Sequence, residues 1–167
     1  ALMISVHVVP YARDQGIGLA EASLALTAYG VGAVSGRLAA GAVSDRLGTV
    51  ATVRVGFTLQ GLALLALLAL PAHAVLLGAM AAFGAGFAIT DTMVVKVIPD
   101  VFGVRALGAI MGVFTLGWRC GAALAPAAAG FVYDVTGAYT LPFGAGPIAV
   151  LVSWALFTLA TSRRAGR

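Results

Sequence analysis

The sequence consists of long apolar runs broken by short clusters of polar, glycine and proline residues. A helix needs about 20 largely apolar residues to cross the roughly 30 Å hydrocarbon core of a bilayer. By that measure the pattern predicts one partial span and five full spans. They cover residues 1–11, 19–44, 50–70, 74–97, 106–133 and 141–161. The run 62–70 lacks the period-two alternation of barrel strands, so the prediction is an all-α fold.

The breaks between spans carry turn chemistry and are short. They fall at residues 14–16, 46–48, 71–73, 99–100 and 136–137, where glycine, proline and aspartate recur. Short connections join antiparallel neighbours in helical bundles. The sequence therefore predicts a bundle of six transmembrane helices.

The amino-acid composition indicates the environment of this bundle, water or membrane. The chain is 61% hydrophobic and 10% charged, whereas soluble domains carry about 25% charged residues. So few charged residues cannot cover the surface of a compact globule in water. The composition therefore predicts an integral membrane protein. The single cysteine, Cys120, excludes a disulfide framework.

Cations are distributed unevenly between the two ends of the predicted bundle. Seven lie at the turn after span two, at the turn after span four and in the tail 162–167, whereas Arg13 alone lies at the other end. The expected location is the cell (inner) membrane, with several passes, and the positive-inside rule predicts the orientation there. Both turns and the C-terminus are expected on the cytoplasmic side.

Two stretches of the chain match at a constant offset of 89 residues. Residues 39–48 align with 128–137, with six of the ten positions identical, and Pro10 aligns with Pro99. Three helices separate the copies, so they face opposite sides of the membrane, as in the inverted repeats of many secondary transporters. The predicted units are 1–70 and 74–161. The repeat also predicts that the first span begins about sixteen residues before Ala1.

Residues 41–48 resemble the signature turn of the major facilitator superfamily: a glycine, three intervening residues, an aspartate and a basic residue, then a glycine. Residues 7–17, 98–108 and 126–139 are similar to the monocarboxylate and oxalate/formate branch. The basic pair usual after the signature turn is absent, since residues 49–53 intervene before Arg54. The resemblance implies the second half of a twelve-helix transporter, with a missing N-terminal six-helix half and the lipid bilayer as partners and no cofactor.

The signature turn has two interpretations. Gly41 is expected to allow close approach of a neighbouring helix. Asp45 and Arg46, which precede Gly48, are expected to latch one face of the protein through charge-assisted bonds. The alternative is an ordinary polar helix terminus at the level of the lipid head groups.

Arg119 is the most informative single residue. It lies fourteen residues from Arg105 and fifteen from Asp134, so about 21–22 Å of helix separates it from either surface. A charge at that depth costs at least about 2.5–3.5 kcal/mol and suggests a functional role. The resemblance implies contact with a substrate carboxylate. The alternatives are an ion pair with Asp91 or bonds to backbone carbonyls.

Two other charged residues are candidates for the same cavity. Arg37 lies about 12 Å of helix from Asp45, so it either reaches the interface or lines the cavity. The resembling branch carries a second arginine on this helix, which favours the cavity. Asp91 is a candidate proton carrier, because desolvation raises the pKa of a carboxyl group; the alternative is a salt bridge to Lys96 or an arginine.

The remaining candidates have weaker support. His7 is a second proton-coupling candidate, because histidine is the side chain whose charge ordinarily changes near physiological pH; the alternative, commoner for a lone histidine near an interface, is a merely interfacial role. Tyr29 and Trp118 stand 89 residues apart and are candidate cavity walls or packing aromatics. Small or helix-bending residues of the fifth span are expected to serve packing and hinge motion: Gly117, Gly121, Pro126 and Gly130.

These residues predict secondary active transport of a small organic anion, a mono- or dicarboxylate, by uniport, symport or antiport. The alternatives are a drug or sugar transporter in which Arg119 is structural, and a non-transporting assembly subunit. The sequence has no metalloprotease, phosphate-loop or nucleophile motif, so an enzyme is not predicted. No nucleic-acid module or metal site is predicted either.

Overall fold

A computed structural model describes residues 2–70, 72–137 and 139–162. It contains six helices: α1 (Leu2–Asp14), α2 (Leu19–Leu47), α3 (Thr49–Ala69), α4 (Ala72–Phe102), α5 (Leu107–Thr136) and α6 (Thr140–Ser162). The described residues contain no strand, which confirms the all-α prediction. Residues 163–167 of the predicted tail lie outside this description.

Four helices are long and apolar enough to cross a membrane: Thr49–Ala69, Ala74–Val101, Leu107–Thr136 and Leu141–Ser162. α1 has 13 residues, in keeping with the predicted partial span. α2 has 29 residues but is less apolar, since Glu21, Arg37, Asp45 and Arg46 lie along it. The architecture is consistent with half of a major facilitator fold.

The fourth helix is longer than the sequence pattern predicts, and the predicted turn at residues 99–100 is wrong. α4 continues through Pro99 to Phe102. The proline removes only one backbone donor, which transmembrane helices tolerate. The helix ends where the Gly103 N–H donates to the Pro99 carbonyl at 2.8 Å and Gly103 adopts a φ of +76°.

Helices α2 and α4 form the most extensive helix pair, and glycines explain why. A Cβ added to Gly32 or Gly36 would collide with the backbone of Ala81 or Ala85. On the facing helix, a Cβ at Gly84 would collide with the carbonyl of Tyr29. The two backbones therefore touch directly, as at small-residue crossings in membranes.

A buried polar contact joins α3 to α4. The Gln60 amide nitrogen donates to the Gly86 carbonyl at 3.2 Å and lies 3.2 Å from the Thr90 hydroxyl oxygen. The Thr90 hydroxyl in turn donates to the Phe87 carbonyl at 2.8 Å. Each group finds a partner, which a polar side chain inside a bilayer requires.

Helix α5 differs from the others because Ala129 is its only buried residue among those the structure describes. Its contacts with α1, α4 and α6 are small. An elongated space therefore separates most of α5 from α3, α4 and α6.

The second helix of each predicted repeat unit, α2 or α5, ends on a similar turn. Gly48 follows α2 with φ +81° and donates its N–H to the Ser44 carbonyl at 2.9 Å. Gly137 follows α5 with φ +68° and donates to the Tyr133 carbonyl at 2.7 Å. Gly48 and Gly137 are 89 residues apart, as are Ser44 and Tyr133, in the register of the sequence repeat. We call the end of the bundle that holds Gly48 and Gly103 the basic end.

Candidate functional site

The centre of the candidate site is an ion pair across the α2–α4 contact. Arg37 Nη2 donates to Asp91 Oδ2 at 2.8 Å. Arg37 directly follows Gly36, whose lack of a side chain brings the two helices together. The side chains remain 60% and 40% exposed. The partner of Asp91 is thus Arg37, and neither Lys96 nor Arg119 makes the alternative pair considered for it.

Arg119 lies on an exposed part of α5. Within the described residues it makes no ion pair or side-chain hydrogen bond, so its guanidinium is available. At helical spacing it shares a face with small residues at −11, −7, +4, +7 and +11. These are Gly108, Gly112, Ala123, Pro126 and Gly130. Large apolar residues lie on another face of α5, among them Val113, Leu124 and Phe131.

A cavity of about 1100 Å³ lies between α5 and the combined surface of α3, α4 and α6, with the start of α1 at one end. Two of the predicted site residues line it, Trp118 and Asp91. Arg37, Arg119, Tyr29 and His7 are not among its described lining residues. Asp91 therefore lines this cavity and also forms the exposed ion pair with Arg37.

The aromatic candidate on α2 packs against α4. The Tyr29 ring lies 6.1 Å from the Phe83 ring and 6.5 Å from the Phe87 ring, centroid to centroid. This arrangement corresponds to the packing alternative for Tyr29. Trp118, its counterpart in the repeat, faces the cavity instead.

The His7 side chain joins α1 to α5 and to the residue before α6, at the end of the bundle opposite the basic end. Its Nε2 lies 3.2 Å from the Pro126 carbonyl and its Nδ1 lies 3.2 Å from the Tyr139 hydroxyl. Burial raises the pKa of Tyr139, and the nearby Tyr133, Asp14 and Asp134 raise it further, so this hydroxyl keeps its proton. Because a carbonyl only accepts, Nε2 carries a hydrogen. Nδ1 then accepts from Tyr139 when the ring is neutral.

The first residue of the signature turn has open surroundings. A Cβ added to Gly41 would meet nothing within 4 Å among the described residues, so the expected close approach of a neighbouring helix stays a prediction. Gly36 and Gly32, five and nine residues earlier, make the close contact that the structure describes, because their side of α2 faces α4. Asp45 Oδ1 lies 4.0 Å from Lys96 Nζ at the end of α4, and both side chains are exposed. Arg46 makes no ion pair within the described part of the chain.

The predicted packing residues of α5 have open surroundings. A Cβ added to Gly117, Gly121 or Gly130 would meet nothing within 4 Å. α5 runs without interruption through Pro126, whose carbonyl accepts from His7. Their roles in packing and hinge motion stay predictions.

Sequence reasoning missed two polar contacts. Gln60 lies in a leucine-rich run, where an isolated amide is a detectable signal, but its partner Thr90 is not predictable without the helix rotations. The sequence identifies Arg54 only as one of the cations near the turn after span two. In the structure its Nη2 donates to the Thr161 hydroxyl of α6 at 3.3 Å.

Helices of this length and apolarity, packed through glycines, are those of a polytopic membrane protein. The sequence model of the Major Facilitator Superfamily matches residues 1–167, and the chain belongs to that family. Membership of this family points to membrane transport rather than to catalysis.

Two relatives extend the comparison. The chain is 32% identical over 148 residues to mouse monocarboxylate transporter 11, which covers 83% of this chain and 33% of the relative. It is 29% identical over 127 residues to an uncharacterised MFS-type transporter of Escherichia coli, YhjX, covering 72% of this chain and 32% of the relative. The chain spans about one third of the length of these relatives.

Proposed function

We propose that the complete protein is a secondary transporter of a small organic anion, a mono- or dicarboxylate. The observation that carries the proposal is the exposed Arg37–Asp91 pair on α2 and α4. Facing lipid, each charge would cost at least about 2.5–3.5 kcal/mol. This face is therefore covered by protein or water in the complete transporter, where the missing N-terminal half supplies the other wall.

The substrate class rests on the cations. Arg119 has free donors on a face of small residues, and Arg37 binds a carboxylate already, that of Asp91. A guanidinium suits planar carboxylates because it donates two parallel hydrogen bonds. The name of the mouse relative supports a monocarboxylate.

The ion pair also supplies a route for proton coupling. Asp91 and a substrate carboxylate compete for Arg37, so protonation of Asp91 releases the guanidinium to the substrate. His7 is the second candidate, because its two hydrogen bonds are compatible with either charge state. Alternating access follows from rocking of the two halves, and the units 1–70 and 74–161 form inverted repeats within this half. The basic end and the C-terminus face the cytoplasm of an inner-membrane protein.

The test is solute uptake by the full-length protein in proteoliposomes. The proposal predicts accumulation of labelled lactate, pyruvate or oxalate, and none of a sugar or a cationic drug. Uptake of only the sugar or the drug would contradict the substrate class and favour a structural role for Arg119. Failure to move any solute would favour an assembly subunit.

A further inference from the structure

Arg54 has hydrogen-bonding capacity that the protein leaves unused. It lies five residues into α3, and its Nη2 donates to Thr161 of α6 at 3.3 Å. Its Nε is buried and has no acceptor in the described part of the chain. No described acidic residue pairs with it. A guanidinium carries five N–H donors in a planar fork, so most of them await an acceptor.

The same threonine lines the cavity beside α5. On α6 the cavity extends from Leu141 to Thr161, about 30 Å of helix, which matches the hydrocarbon thickness of a bilayer. Val53, next to Arg54, lines its basic end together with Val101. Arg54 is not among the described lining residues, but its bond to Thr161 places the guanidinium beside the basic end of the cavity.

The cavity itself is apolar in its chemistry. Its polar lining groups at Gln60, Thr90 and Ser153 are hydrogen-bonded to helix backbone. Asp91, the one charged group among its described lining residues, is engaged by Arg37. The described lining residues include no cation for an anionic substrate, so the cavity suits an apolar ligand.

A phospholipid has both an anionic phosphate, which a guanidinium binds, and an apolar acyl chain, which an apolar cavity accommodates. We propose that Arg54, oriented by its bond to Thr161, binds the phosphate of an anionic phospholipid from the leaflet at the basic end, and that one acyl chain fills the adjoining half of the cavity. Basic pockets between transmembrane helices bind anionic head groups in this way. In this proposal the acyl chain packs against Phe57 and Phe157 and fills the gap that separates α5 from its neighbours. This inference is independent of the transported solute.

The test is binding of phosphatidylglycerol to the full-length protein, measured by native mass spectrometry from detergent. Arg54→Gln removes the phosphate contact, and Ala160→Trp fills the cavity beside Thr161. The matched controls are Arg105→Gln, an exposed arginine at the same end, and Ala155→Trp, an exposed position of α6 outside the cavity lining. Gel filtration and the melting temperature verify that each variant is folded.

We expect Arg54→Gln to weaken lipid binding by at least about tenfold, as for the loss of a charge-assisted hydrogen bond. Ala160→Trp should weaken it because the indole takes the space of the acyl chain, and both controls should leave it nearly unchanged. An equal loss with Arg105→Gln would show unspecific attraction and overturn the site. Unchanged binding to Ala160→Trp would place the acyl chain outside the cavity. Binding of inorganic phosphate at Arg54 with no phosphatidylglycerol retained by the wild type would show a plain anion site and overturn the lipid proposal.

Discussion

The α2–α4 pair and α5 are built on different principles although both are rich in glycine. Gly32, Gly36 and Gly84 lie where an added Cβ would strike backbone, so they fix two helices at contact distance. Gly117 and Gly121 face open space. Glycine content alone thus does not identify a helix contact; the rotation of the helix decides. The tightly packed pair holds Arg37 and Asp91 in a fixed geometry, whereas α5 presents Arg119 without a partner.

Truncation of buried and exposed leucines tests this contrast with the largest expected effect. Leu64 of α3 is 2% exposed and Leu124 of α5 is 68% exposed. We expect Leu64→Ala to lower the free energy of unfolding by about 2–5 kcal/mol and Leu124→Ala to leave it nearly unchanged. Thermal or denaturant unfolding of the full-length protein measures both. A comparable loss in Leu124→Ala would show that α5 is packed on this face.

Two glycines of α4 sharpen the comparison within one helix. Gly84→Ala forces a methyl group against the Tyr29 carbonyl and should cost about 1–3 kcal/mol of stability. Gly78→Ala meets no neighbour and should stabilise the helix by about 0.5–1 kcal/mol. The unfolding midpoints of the two variants should therefore move in opposite directions. Movement in the same direction would refute backbone contact at Gly84.

The ion pair gives a smaller effect, best measured as a coupling. Unfolding free energies of Arg37→Gln, Asp91→Asn and the double variant form a mutant cycle. Because the two groups bond directly, we expect a coupling energy of about 1 kcal/mol. Additive effects would mean that the pair is not formed in the complete transporter. Lys96→Gln, whose pair with Asp45 spans 4.0 Å at an exposed site, is the control and should change stability by less than about 0.5 kcal/mol.

The sequence predicts the number and extent of the helices well, since apolar length alone sets them. It fails at residues 99–100, because a proline near the end of a helix does not stop it, whereas the left-handed Gly103 does. It does not identify Gly32 and Gly36 as the glycines that contact α4, and it leaves the partner of Asp91 open. Both depend on helix rotation, which spans that are apolar on all sides do not encode. The pairing of Gln60 with Thr90 is hidden for the same reason.

Arg119 provides the most direct test of the central proposal, that this half binds a carboxylate through a free arginine of α5. The measurement is counterflow of labelled lactate, pyruvate or oxalate in proteoliposomes of the full-length protein, comparing wild type, Arg119→Gln, Arg119→Lys and the control Arg105→Gln. We predict at least about tenfold slower exchange for Arg119→Gln, partial recovery for Arg119→Lys and normal exchange for the control, at unchanged stability. Normal carboxylate exchange by Arg119→Gln would contradict the proposal.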